Sequence, residues 1–232
     1  AWQGFWVAFV GIPAFIVTLA GMLIFRGLAL VVLGNANIGS FPEEYRALGN
    51  GFLTGVFGEG TPDIFTLLVG AAAIVLLVLN QVRSRAARLK YGQEVDPIVW
   101  FIVKLLLVAA AIGFFMFALA SYKGIPVTLI ILAVLVLFYG TVMNRSVFGR
   151  HVYAIGGNRH AAELSGIKTR RVDFLLFVNM GFLAGVAGVL FGARSNGAQP
   201  AAGNMFELDA IAASFIGGAA VTGGVGRVTG AI

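Results

Sequence analysis

His151 and His160 are the two histidines of this 232-residue chain and its most obvious candidates for acid–base or metal chemistry. They stand nine residues apart in a basic stretch, with no acidic cluster beside them, so the donor set of a metal site is missing. The chain has no Cys, which removes thiol nucleophiles, thiolate metal sites and disulfides together. Gly218-Ala219-Ala220-Val221-Thr222-Gly223 begins as a phosphate-binding loop does, but Gly224 stands where a lysine must reach the phosphates. Leu164-Ser165-Gly166 opens like an ATPase signature, yet Ile167 and Lys168 follow it and no Walker A sequence accompanies it. No Ser/His/Asp arrangement has a scaffold. These residues predict no catalytic group, no cofactor and no metal in this chain.

The polar residues that remain interesting lie in or beside apolar runs. Arg26 sits inside such a run, where a charge costs about 2.5–3.5 kcal/mol on insertion scales. It can line a polar pathway, pair with a neighbouring helix or snorkel to the surface. Lys104 is close enough to the end of its run for snorkelling to explain it. Asn179 is placed for a hydrogen bond between helices or for contact with a polar solute. Glu207 and Asp209 stand where a loop returns to apolar sequence, and Asp209 before Ala210 has the position of an N-cap. Carboxylates there can instead meet a partner protein. Phe41, Pro42, Tyr45 and Phe52 offer aromatic and apolar contacts in another loop.

What positions these residues is unusual sequence. The chain is 59% hydrophobic and only 11% charged, with a mean hydropathy of +0.94. Average soluble domains run at about 45–50% apolar and about 25% charged. The excess excludes a soluble enzyme and a disordered tail. Five runs are long enough to cross a bilayer, which takes about 20 apolar residues: 12–34, 64–80, 98–120, 125–143 and 174–193. Residues 1–11 read as the end of an earlier helix. Residues 210–232 hold Gly217, Gly218, Gly223, Gly224, Gly226 and Gly230, which predicts a broken or re-entrant segment. The fold class is therefore all-α, a polytopic transmembrane bundle of about five full spans with partial segments at both ends. Residues 1–232 form one transmembrane domain, expected to be truncated at both ends, with a cytoplasmic loop at 144–173.

Charge fixes the orientation. Loops 81–97 and 144–173 hold ten basic residues against four acidic ones, whereas loops 35–63, 121–124 and 194–209 hold three against six. The positive-inside rule puts the first pair in the cytoplasm and the other three outside, and every span then alternates. The net charge of +6 is mostly topology, so no nucleic-acid partner is implied.

Within the more basic loop, Asn158 is a good N-cap, residues 159–165 can form about two helical turns, and Gly166 can end them in a left-handed conformation. Ala161 and Ala162 permit close approach by a partner, and Tyr153, Leu164 and Ile167 supply apolar contacts. The alternative is a solvated basic connector. In the last full span Gly181, Gly185, Gly188 and Gly192 fall on one face, which suits close helix packing, static or moving.

Several separated segments carry a likeness to one family. Tyr153-Ala154-Ile155-Gly156-Gly157-Asn158, followed by Ala161-Ala162-Glu163-Leu164-Ser165-Gly166-Ile167, resembles the cytoplasmic loop of sugar-type ABC importer permeases, the ribose, xylose and multiple-monosaccharide group. Ile12-Pro13-Ala14-Phe15-Ile16-Val17-Thr18-Leu19-Ala20-Gly21 and Phe206-Glu207-Leu208-Asp209-Ala210-Ile211-Ala212-Ala213 fit the same pattern, as do the late glycines from Gly217 to Gly226. The long outer loop and Tyr122-Lys123-Gly124-Ile125-Pro126 are most similar to the xylose and multiple-monosaccharide branch. The resemblance implies a multi-pass subunit of the bacterial inner membrane that carries a monosaccharide inward. It also implies a permease dimer, two separate ATPase subunits that supply the energy, and an extracytoplasmic sugar-binding protein. On this resemblance Gly156, Gly157, Asn158, Arg159, Ala161, Ala162, Glu163, Leu164 and Gly166 form the coupling helix that seats in the ATPase. Arg26, Asn179, Glu207 and Asp209 are the candidates for the pathway or for binding-protein contact. The alternative, an ion-coupled secondary transporter of a small polar solute, calls for carboxylates near the membrane midplane, and none of the ten acidic residues falls in the five spans.

Overall fold

Helix boundaries follow the local sequence closely. The computed structural model describes the chain apart from residues 35, 55–61, 94, 96, 220–225, 227 and 231–232. Five of its helices are long and apolar enough to cross a membrane. The chain opens with α1 (Trp2–Phe5), which passes into a π-helical turn (Trp6–Val10) that Gly11 ends at φ 85°. Pro13, whose fixed φ suits the residue before a first turn, starts α2 (Ala14–Leu33), and Gly34 ends it at φ 58°.

Three elements of the outer loop lie outside the predicted pattern. A short strand β1 (Ile38–Gly39) and a helix α3 (Glu43–Asn50) occupy its first half, followed by β2 (Phe52–Leu53). Pro42 with Glu43 and Glu44 is a recognisable helix start, because acids there complement the helix dipole. Helix α4 (Ile64–Lys90) is capped by Asp63, whose buried carboxylate accepts hydrogen bonds from the Thr66 amide at 2.9 Å and hydroxyl at 2.5 Å. It continues ten residues beyond the predicted end of its span. Arg83, Arg85, Arg88 and Lys90 therefore ride on a helix rather than in a loop, since Arg, Ala, Leu and Lys are strong helix formers. Helix α5 (Ile98–Tyr122) follows Pro97. The next span starts two residues later than predicted, because β3 (Ile125–Pro126) precedes α6 (Val127–Arg145). Helices α7 (Val147–Gly157) and α8 (Arg159–Leu164) lie in the predicted cytoplasmic loop, and α9 (Thr169–Ser195) starts five residues before its predicted span. Strand β4 (Gly197–Ala198), helix α10 (Phe206–Ile216) and a 3-10 turn (Val228–Gly230) complete the described chain. Helix α10 stops at Gly217, as glycine-rich sequence demands. Part of the predicted re-entrant segment, including Gly223 and Gly224, lies outside the described residues, as do Glu59, Glu94, Asp96 and Arg227.

The chain divides into two compact units, residues 51–130 and residues 1–50 with 131–232. In the first, α4 packs on α5: a Cβ on Gly70 would lie 2.8 Å from that of Met116, and the Arg85 guanidinium sits 4.7 Å over the Phe101 ring. Antiparallel pairing of β2 with β3 joins two loops that charge assigns to the outside. In the second unit β1 pairs antiparallel with β4, again between two predicted outer loops. Buried residues are few and mostly small, such as Ala8, Ala120 and Ala193, whereas Phe114 and Val32 are almost fully exposed. That inversion suits a lipid solvent, in which an apolar exterior carries no penalty.

Helix α3 is fixed to the end of α9. Asn50 donates from Nδ2 to the carbonyls of Ala193 and Arg194 at 3.2 and 3.1 Å, and the Tyr45 hydroxyl donates to that of Val189 at 2.9 Å. Gly49 permits the contact, since a Cβ there would strike the backbone of Ala193 and Arg194. Gly49→Leu should thus cost about 1–3 kcal/mol by overpacking. Thermal melting of the purified protein checks this, with Arg46→Ala, on exposed α3 surface, expected within about 0.5 kcal/mol of the parent.

Candidate functional site

The loop at 144–173, predicted to be cytoplasmic, folds as two helices and a turn. Ser146 caps α7, its Oγ accepting from the Gly149 amide at 3.1 Å. Phe148, Val152 and Ile155 follow at helical spacing, a signal that would have revealed α7 in the sequence. Gly156 and Gly157 are its last residues. Asn158 then turns the chain with extended backbone (φ −158°, ψ 103°), and its Oδ1 accepts from the Ala161 amide at 3.0 Å to cap α8. At the far end the Gly166 amide donates to Glu163 at 2.9 Å and that of Ile167 to Ala162 at 3.1 Å. With Gly166 at φ 83°, this is a Schellman motif, in which the left-handed residue lets the last carbonyls find donors. Both predicted caps of the short helix are thus in place.

Helix α8 does not stand free. Arg159 Nη2 donates to Asp173 Oδ2 at 2.6 Å, and its Nε lies 3.6 Å from Glu163 Oε1. The same Glu163 oxygen accepts from the hydroxyl of buried Thr169 at 2.8 Å. Positions 159, 162 and 163 therefore face the first turns of α9, as residues three and four apart on a helix must. Ala162 is only 4% exposed. It lies on the side of α8 that carries Arg159 and Glu163, away from the exposed face, and Glu163 spends its carboxylate on the joint with α9. His160, Ala161 and Leu164 form the opposite, exposed face, and Leu164 at the tip is 78% exposed.

The other candidates scatter. Arg26 of α2 pairs with Glu207 of α10, Nη2 to Oε1 at 3.9 Å, so of its three predicted options the neighbouring helix prevails. Asp209 is not an N-cap. Met205, at φ 68°, holds that position, and α10 starts four residues earlier than predicted because the turn through Gly203 (φ 72°) releases the chain there. Glu207 and Asp209 instead lie in the first turn, where their charge suits the helix dipole. The Tyr139 hydroxyl donates to Asn179 Oδ1, joining α6 to α9. On α9, a Cβ on Gly192 would come within 3.0 Å of the Tyr45 hydroxyl, whereas at Gly181, Gly185 and Gly188 no atom lies within 4 Å. Close packing falls on Gly192, and the other three present an open face. Among the described residues no three His, Asp or Glu side chains group as metal ligands.

Comparison with known proteins gives the family. The model of the branched-chain amino acid transport system / permease component family matches residues 73–232. The chain belongs to that family. Its five membrane-length helices suit a multi-pass membrane component of that kind. It is 37% identical to the xylose transport system permease protein XylH of Haemophilus influenzae across 100% of its own length and 60% of that relative's. It is 35% identical to XylH of Escherichia coli, again over its full length and 57% of that protein. The ribose import permease protein RbsC of Bacillus subtilis is 42% identical over 120 residues, 52% of this chain and 37% of RbsC. The chain thus spans less than two thirds of the xylose permeases it matches. No solved structure matches it.

The Arg159 ion pair makes a direct prediction. Arg159→Gln keeps the length but loses the charge that Asp173 and Glu163 hold. A partly exposed pair of this kind contributes about 1 kcal/mol, so amide exchange in residues 159–165 should accelerate about fivefold. Hydrogen–deuterium exchange should find the middle of α9 unchanged.

Proposed function

We propose that this chain is the transmembrane permease part of an ABC importer that moves a monosaccharide, xylose or a related sugar, inward across the bacterial inner membrane. A second permease copy completes the pathway, separate ATPase subunits dock on the cytoplasmic face, and an extracytoplasmic sugar-binding protein delivers the solute. The observation that carries the proposal is α8: a short helix capped at both ends, locked to a membrane-spanning helix by Arg159, and presenting an apolar tip with no partner in the described chain. An exposed leucine at the end of a rigid helix is a contact in want of a surface. Similarity over the whole chain to xylose permeases favours a sugar over the amino acids in the family's description.

In this mechanism the ATPase moves α8, and the Arg159–Asp173 pair and the buried Ala162 pass the motion to α9 as a rigid body. Helix α9 carries it to the outer loop helix α3 through Tyr45 and Asn50. The Arg26–Glu207 pair and the Tyr139–Asn179 bond are the polar groups nearest a solute path, and Glu207 and Asp209 are suited to meeting the binding protein.

Two experiments test the proposal on the full-length protein with its partners. Leu164→Asp and Ala161→Glu alter the exposed face without entering the joint. Each should lower ATP-driven uptake about tenfold, the loss of one central apolar contact, while the level in the membrane stays unchanged. Unaltered uptake would count against docking through this face. Uptake across a panel of pentoses and hexoses should stop when the ATPase is inactivated and ion gradients persist. Continued uptake under a gradient would replace the importer with an ion-coupled carrier.

A further inference from the structure

A cleft of about 450 Å³ lies between α7 and the start of α9, lined also by Ser165, Gly166 and Ile167 of the turn that ends α8. Phe148 and His151 line it from α7, and Lys168, Arg171, Val172 and Leu175 line it from the α9 side. We infer that this cleft binds an anionic phospholipid, its phosphate held by Lys168 and Arg171 and its upper acyl chain laid along Phe148 and Leu175.

Charge is the first argument. No carboxylate lines the cleft. The two acids nearby, Glu163 and Asp173, are already engaged with Arg159 and Thr169. Among the described residues no ion pair compensates Lys168 or Arg171, so the cleft offers two cations to an anion. Position is the second. The lining passes from cationic to apolar along the axis of α9, and residues 168 to 175 span about 10 Å at 1.5 Å per residue. That is the order and the scale of a headgroup above its first methylenes. The side is the one that loop charge makes cytoplasmic, where α9 enters the hydrocarbon and anionic headgroups attract basic residues. A free phosphate would satisfy the cations but leave Phe148 and half-exposed Leu175 uncovered. A protein partner would meet His160 and Leu164, neither of which lines the cleft. The inference needs only the membrane orientation and is independent of which solute is carried.

Native mass spectrometry of the purified full-length protein, with phosphatidylglycerol and phosphatidylcholine of identical chains, tests it. Each basic side chain near a headgroup is worth about fivefold, so the anionic lipid should be retained about 25-fold over the zwitterionic one. Lys168→Gln with Arg171→Gln should bring the ratio near unity, and Arg171→Gln alone should lower it about fivefold. The charge-conserving Lys168→Arg with Arg171→Lys should keep it, as should Arg170→Gln, which neutralises a neighbouring cation outside the cleft. Equal retention of both lipids by the parent protein would overturn the inference. So would undiminished retention by the Gln variants, or a loss with Arg170→Gln as large as with Arg171→Gln. Displacement of the lipid by millimolar inorganic phosphate would make this a free-phosphate site. Displacement by bound ATPase subunit would assign the cleft to protein docking. Either overturns it.

Discussion

The ion pair between Arg159 and Asp173 is the joint on which the functional architecture depends. The residues are 14 apart, and they meet only because the Schellman turn at Gly166 folds α8 back onto α9. The carboxylate is mostly shielded, at 16% exposure, so the bond is screened less than a surface pair would be. Without it, a six-residue helix would have little to hold its orientation, because helices this short are marginal alone. With it, α8 becomes a rigid extension of a 27-residue span. The far end of that span carries α3 and β4. One helix therefore connects the loop at 144–173 with those at 35–63 and 194–209 inside a single compact unit.

A second constraint comes from the solvent. In hydrocarbon every backbone amide must be satisfied within the chain, which leaves long helices as the economical choice and pushes irregular structure to the ends. The two small strand pairings and α3 all lie in loops, where water is available. Charges follow the same logic: Arg26 has Glu207, and Arg85 lies on an aromatic ring. The basic excess of the loop at 144–173 is what remains once Arg159 has taken both of its carboxylates.

Much of this was legible in the sequence. Five spans follow from hydropathy alone, and Asn158 and Gly166 mark the ends of α8 because capping chemistry is local. Long-range pairing was not legible. Arg159 finds Asp173 only after the chain has turned, and Ala162 looks like a contact residue until that turn buries it. Asp209 had the sequence of an N-cap, but the start of α10 was decided by the left-handed backbone at Met205, which no propensity of methionine announces. Helix α4 outran its span because hydropathy ends where charge begins, whereas helix propensity does not. The four-glycine stripe of α9 is visible in the sequence but its neighbour is not, and among the described residues one is present only at Gly192.

The proposed docking role rests on the face of His160, Ala161 and Leu164, and cross-linking in a background freed of any other Cys measures it directly. A single cysteine introduced as His160→Cys, in membranes containing the ATPase subunits, is treated with a short thiol-to-amine cross-linker. A permease–ATPase adduct should form there and not with Lys123→Cys, which loop charge places on the outer side. No adduct at position 160, or an equal one at 123, would contradict the docking role.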